Sequence, residues 1–313
     1  MAQIELGINT CFAVKRWPRP RDWINVTKNE LKLDVAQIST DLLSPSFEFS
    51  SAVKYMEEVK IVASDYDLEI HSLFTGLGVY SSNLLLSSLE SERRSAFDWF
   101  CRLVDLANLV GAKGIGGHIG AISVDVNKDS KSRTGLIESL KDYMFKLADY
   151  AQNSGLEHLQ FENLAVVREY GHSIVEAKDL EDSLVNASVP WILCLDVGHP
   201  AALGIESKDN NILDWISQTW RNTPVLQLQQ SAYSSDRHAP YFSSDRVEGE
   251  NSPSEIIRGI SKWKASKVPA FFEIIHPHEA SDELVLKEIK ESIALWQRLI
   301  VDLGKDKWLT VQD

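Results

Sequence analysis

Four residues at the ends of four short strand-like runs carry groups able to bind a metal ion or move a proton. They are Glu162 after HLQF, Asp196 after WILCL, Gln229 within PVLQLQQ and Glu273 after VPAFF. The clearest run is Trp191 to Leu195, which follows Pro190 and leads into Asp196, Gly198, His199 and Pro200. It is too short for a helix and continuously apolar, as a strand buried on both faces must be. Three carboxylates brought to one point repel and raise one another's pKa, and a divalent cation relieves that repulsion. Carboxylate and amide oxygens are hard ligands that suit Mg²⁺ or Mn²⁺. Neither an HExxH pattern nor a cysteine cluster argues for zinc. A lone Glu at a strand end is as often an ion-pair partner; four such groups in series point to a metal. Of the neighbouring glutamines, alternation puts Gln227 and Gln229 on one face and Gln230 on the other. Gln229 is nearer the carboxyl end and is the expected ligand.

These four groups meet only if a scaffold brings their strands together. Strands are expected at 4–14, 33–40, 68–76, 112–121, 158–164, 191–199, 224–231 and 268–276. Between and after them, helical spacing falls near 20–31, 50–66, 90–110, 133–154, 173–187, 209–221, 253–267 and 281–301. Eight strand–helix alternations predict a (β/α)8 barrel, whose chemistry sits at the carboxyl ends of the strands. A doubly wound open sheet is the rival, but its phosphate-binding GxGxxG is absent from the first turn, CFAVKRWP. No Pro-, Gly- or Ser-rich linker divides the chain, so residues 1–313 are expected to form a single α/β domain.

Composition narrows the function. The chain of 313 residues is 44% hydrophobic and 25% charged, and its 45 acidic against 32 basic residues give a net charge of −13. With no long basic run, a nucleic-acid partner is not expected. No apolar run approaches the roughly 20 residues of a membrane span, and MAQIELGINTCF lacks the layout of a signal peptide. Cys11, Cys101 and Cys194 are scattered without CxxC spacing, which predicts reduced thiols and a cytoplasmic protein.

FEN (161–163), LDVGH (195–199), LQLQQ (226–230) and FFEI (271–274), in this order, resemble the metal-dependent xylose isomerase-like barrels of the sugar phosphate isomerase/epimerase superfamily. The resemblance covers essentially the whole chain through strand order. It implies an isomerase or epimerase whose divalent metal, Mn²⁺ or Mg²⁺, is held by Glu162, Asp196, Gln229 and Glu273. The sugar epimerases commonly have His at the seventh-strand position; Gln, found here, is the hydroxypyruvate isomerase choice. CFAVKRWPRPRDW, LDVAQISTDLL, GGHIGA and LQLQQSAYSSDRHAPY look like the tetrulose-phosphate epimerases that interconvert D- and L-erythrulose 1-phosphate. Homo-oligomers are common in that family, so self-association is a further expectation.

The chemistry so implied removes a weakly acidic hydrogen beside a ketone, and epimerisation needs an acid/base group on each face of the carbon. Glu162 and Glu273 are the expected pair, and His199 the expected partner of a substrate oxygen, although it could simply cap the turn. Arg237 and His238 in SSDRHAPYF, and Lys15 after the first strand, are candidates for a phosphate. His118 and His71 are candidates for the pocket wall, with a buried structural role the alternative for each. An aldose–ketose isomerase on the same scaffold, a metal-dependent hydrolase and a non-catalytic sugar-binding barrel are the rival readings. A multi-metal, His-rich site would mark the hydrolase and is not apparent.

Overall fold

The computed structural model describes residues 3–43, 48–219, 224–233, 235–241 and 250–305. Eight parallel strands close a barrel: β1 (Gln3–Asn9), β2 (Val35–Ser39), β3 (Glu69–Phe74), β4 (Gly114–Gly116), β5 (His158–Glu162), β6 (Trp191–Asp196), β7 (Val225–Leu228) and β10 (Lys267–Phe272). The last of these pairs with β1 and shuts the ring. Between β7 and β10 the chain inserts an antiparallel hairpin, β8 (Gln230–Ala232) and β9 (Ser235–Ala239).

The expected strands are all present, several of them shorter. Residues 10–13 form a 3-10 turn capped by the Asn9 side chain, so β1 ends at Asn9. The fourth strand is only Gly114–Gly116. Gly117 and Gly120 then take positive φ, a backbone no strand continues through. The expected run 224–231 is broken at Gln229, where its second half turns away to start the hairpin. Residues 220–221, at the end of an expected helix, lie outside the described residues.

Helices Phe49–Asp65, Glu90–Val110, Ser130–Asn153, Ile174–Ser183, Ile212–Gln218, Pro253–Ile260 and Asp282–Lys305 pack outside the ring. Local sequence sets their ends: Asp129 and Ser173 cap N-termini, Pro253 occupies a first turn, and Gly111 at φ +74° closes Glu90–Val110.

Alternation along the strands sorts the side chains. Leu159, Phe161, Leu193, Leu195, Leu226, Leu228, Ala270 and Phe272 join the large core between barrel and helices, where Trp23, Trp215 and Trp296 are buried. Their neighbours form a separate cluster of Val35, Phe74, Ile192, Cys194, Val225 and Phe271, which fills the barrel interior. Continuing the inward set by twos from Gln160, Cys194, Gln227 and Phe271 reaches Glu162, Asp196, Gln229 and Glu273. Thus the rule that fills the interior with Phe and Val also delivers the four polar groups to its carboxyl-end mouth.

Candidate active site

Asp196 is the most constrained group at that mouth. Its Oδ1 accepts from the backbone N–H of Gly198 (2.7 Å) and His199 (3.1 Å) and from the amide Nε2 of Gln229 (3.0 Å). Asn163 grips its backbone, accepting from the Asp196 N–H at 2.7 Å and donating to its carbonyl at 3.1 Å. The other carboxylate oxygen, Oδ2, is fully buried and has no hydrogen-bond partner. An anionic oxygen in that state is costly unless a cation meets it. Glu162, Asp196 and Glu273 each offer an oxygen within 4.8 Å of the others, and all three are buried. Three convergent carboxylates, one of them with an oxygen that meets no donor, fit a divalent cation.

Burial pushes the Glu162 carboxyl well above its ordinary range; His199 pulls it back, while Glu273 and Asp196 add to the rise. Burial likewise takes Glu273 up to about 7, against the pull of His238. Asn9 donates to Glu273 Oε1 at 2.9 Å and also to Gln37 Oε1 at 2.9 Å, so the interior network orients this carboxylate.

Two histidines answer the carboxylates. The His199 Nδ1 lies 2.7 Å from the Asn163 carbonyl and 3.5 Å from Glu162 Oε1. Its Nε2 is 3.3 Å from Asp236 Oδ2 and 3.9 Å from Asp196 Oδ2. Burial disfavours its charge, but Asp196 and Asp236 outweigh that and raise its pKa well above the usual value. Nε2 of His238 lies 3.2 Å from Asp236 Oδ2, and its Nδ1 3.7 Å from Glu273 Oε2. Burial opposes its charge too, yet Asp236 and Glu273 carry it up to about 9. Partial desolvation raises the Asp236 carboxyl, but these two histidines hold it far below the carboxylate range.

Asp236 is the member sequence reasoning missed. It lies on β9, where Asp236 and His238 share a face and Arg237 takes the other. Hence Arg237, expected beside His238 as a phosphate ligand, points away and pairs with Glu250 at 3.3 Å. Lys15 is exposed with φ +62° and does not line the cavity at the mouth. His71 also fails to reach it. It is the extra residue where the β2–β3 register shifts, and it packs on His158 and Phe271 inside the barrel. His118 does line the cavity, with Cys11, Asp41, Thr75, Tyr80, Glu162, His199, Asp236, His238 and Glu273. Gln229, expected as a metal ligand, stands beside Asp196, with its amide nitrogen toward Asp196 and Asp236 and its oxygen accepting from Ser231 (2.8 Å). Gln227 bonds Gln37 deeper in the barrel, and Gln230 bonds Asn251.

Among known proteins, a D-erythrulose 1-phosphate 3-epimerase from Brucella abortus (strain 2308) is 24% identical over 307 residues, spanning 97% of this chain and 98% of its own. A xylose isomerase candidate from Rhodospirillum rubrum ATCC 11170 superposes with a TM-score of 0.87 at 24% identity, over 94% of this chain and 99% of that one. D-psicose 3-epimerase from Clostridium cellulolyticum H10, solved with D-tagatose, gives 0.70 at 15% identity, over 95% and 99%. Among the described residues no helix is long and apolar enough to cross a membrane. The family model of the xylose isomerase-like TIM barrel matches residues 30–250, most of the barrel including β2 to β9, and the chain belongs to that family.

Proposed function

We propose that this protein is a metal-dependent 3-epimerase of a small ketose phosphate, with erythrulose 1-phosphate the first substrate to test. The reading is carried by one arrangement: two buried glutamates, Glu162 and Glu273, on strands either side of an Asp196 whose second oxygen meets no donor. The curated relative named for erythrulose 1-phosphate supports the substrate.

Glu162, Asp196 and Glu273 would hold the cation, Mn²⁺ or Mg²⁺, with Gln229 a fourth ligand once its amide turns its oxygen inward. The chemistry such an ion supplies when bound is Lewis-acid polarisation of a ketose carbonyl. Glu162 or Glu273 removes the proton from C3, and the other glutamate returns one to the opposite face. Raised carboxyl pKa values suit both tasks, since a good acid/base group titrates near the working pH. His199 and His238, charged through Asp236, donate to the substrate oxygens on which negative charge develops. Reduced thiols in Cys11, Cys101 and Cys194 accord with a cytoplasmic enzyme.

An unphosphorylated ketose is the second reading. It is favoured because no Lys or Arg is among the described residues lining the cavity. Proton NMR in D₂O separates the two. Erythrulose 1-phosphate, erythrulose and hexuloses are each incubated with enzyme and Mn²⁺, with a chelator control. Deuterium entering at C3 and lost with chelator supports the epimerase, and the substrate that exchanges fastest fixes the class. Exchange in none of them overturns the proposal.

A further inference from the structure

Beside the carboxylate mouth lies a second polar cluster that the epimerase reading leaves unused. His118 follows β4, its backbone N–H on Thr75 Oγ1 at 2.7 Å. Gly117, at φ +118°, makes that approach feasible, because a Cβ there would fall 2.0 Å from Thr75 Oγ1. The His118 Nε2 lies 2.9 Å from the Ser82 carbonyl. A carbonyl only accepts, so Nε2 carries the hydrogen and, in the neutral ring, Nδ1 is left as an acceptor. Nδ1 is fully buried and has no hydrogen-bond partner. The nearest charged atom is Oε1 of Glu169, at 3.8 Å. Glu169 is itself buried, in the loop after β5. Its Oε2 accepts from Tyr80 Oη (3.4 Å) and the Val166 N–H (3.3 Å), and the Tyr80 ring packs edge-on to His118.

A carboxylate facing the lone pair of a neutral imidazole is repulsive, whereas a carboxylic acid facing it is not. The other groups around the pair do not supply the missing hydrogen. Arg168 donates to the Ile122 carbonyl. His172 is engaged with the Glu169 carbonyl and Glu176. His199 acts on Glu169 only at a distance, while Glu162 and Asp236 act through space on Tyr80. Burial takes Glu169 up to about 7 and His118 down to about 4, in keeping with a proton that resides on the glutamate. Oε1 and Nδ1 lie 3.8 Å apart, beyond direct hydrogen-bond reach, and Nδ1 is closed off from solvent, so an oxygen about 2.8 Å from each bridges them only if the two side chains part slightly on the side where His118 lines the cavity.

We infer that Glu169 and His118 hold one proton between them and together read a hydroxyl of the substrate. That hydroxyl accepts from the Glu169 acid and donates to His118 Nδ1. The hydroxyl half of this inference rests on the ketose reading above; the shared proton does not.

The shared proton is tested by ¹⁵N NMR of histidine-labelled protein, free of metal and substrate, titrated from about pH 5 to about pH 8.5. His118→Gln assigns the signal. The ring is expected to stay neutral throughout, with the Nδ1 shift moving at a midpoint near pH 7 in wild type and flat in Glu169→Gln. A response unchanged by Glu169→Gln, or an imidazolium forming in that range, overturns it. The hydroxyl is tested kinetically with erythrulose 1-phosphate, or with whichever ketose exchanges. His118→Gln should raise KM roughly tenfold with kcat within about threefold. The wild-type KM should rise above about pH 7, while that of Glu169→Gln stays level. A loss confined to kcat, or the same KM profile in both proteins, overturns it. If no ketose turns over, the epimerase reading fails and the NMR titration still decides the shared proton.

Discussion

Gln229 donates to Asp196 Oδ1 at 3.0 Å, while Asp196 Oδ2, the other oxygen of the same carboxylate, is buried and meets no donor. One oxygen is saturated by three N–H groups, which fixes the rotamer; the other meets no donor, in a carboxylate that clusters with Glu162 and Glu273. Asp196→Asn separates these two duties. Its amide oxygen can still accept from Gly198 and His199, so the variant should fold. It should lose metal affinity by more than ~100-fold, read as metal content after dialysis against a weak chelator. An Asn variant that keeps a full equivalent of metal would refute the assignment.

Glu162 and Glu273 stand on opposite sides of Asp196 around the ring, separated by β6 and β7. If each serves one face of the substrate, removing one should stop epimerisation without stopping all exchange. Glu162→Gln and Glu273→Gln should each lower turnover by about 10²–10⁴. Each should still exchange the C3 proton of one epimer in D₂O, and the two variants should differ in which epimer exchanges. Metal content is measured alongside, since both residues are also expected ligands. Identical exchange of both epimers in both variants would rule out the two-face arrangement.

The same carboxylates set how stability responds to pH in the metal-free protein. Glu273 titrates at about 7 when folded, above the ordinary 4.5. The folded state therefore binds more protons than the unfolded one between these values, and stability falls as pH rises through them. His238, raised from 6.5 to about 9, adds stability that is complete below 6.5 and lost as pH rises through 9. Both effects have one sign. Metal-free protein should melt at a lower temperature at about pH 9 than at about pH 6, and added Mn²⁺ should raise Tm more at the higher pH. Scanning fluorimetry with and without chelator measures this; a stabilisation by Mn²⁺ independent of pH would contradict it.

What could be read from the chain alone follows from which residues obey a period. Asp196 and Glu273 close runs of buried apolar residues and Glu162 closes a short strand of mixed ones, so the strand rule places them together without knowledge of any contact. Asp236 sits on a hairpin strand with no buried residue and polar through its first four positions, SDRHA, so no apolar alternation reveals it as a strand. Read as a loop, SSDRHAPYF gave Arg237 and His238 one role; as a strand, it sends them to opposite faces. His71 deceived for the reverse reason. The register shift between Ala36 and Gln37 makes it an extra residue, and a one-residue bulge is invisible in a pattern of buried side chains. Asn9 carried no signal, and Asn163 none beyond its place in FEN, because their work, fixing Glu273 and Asp196, depends on neighbours distant in sequence.

Gly198 links the turn after β6 to the residue after β7. Its φ of −87° is ordinary for any amino acid, so backbone strain does not explain it. Space does: a Cβ at this position would lie 2.4 Å from the Gln229 amide carbon and nitrogen and 2.5 Å from its oxygen. The Gln229 side chain is fully buried between Asp196, Asp236 and Ser231 and has little room to retreat. Gly198→Ala should therefore destabilise the protein by about 1–3 kcal/mol and disturb metal binding as Gln229 and Asp196 shift. In a Gln229→Ala background, the clashing atoms are gone, and the cost of adding the methyl group at position 198 should drop to near zero. Denaturant melts of the four proteins in this cycle measure the coupling. Additive losses would show that Gly198 is required for something other than the approach of Gln229.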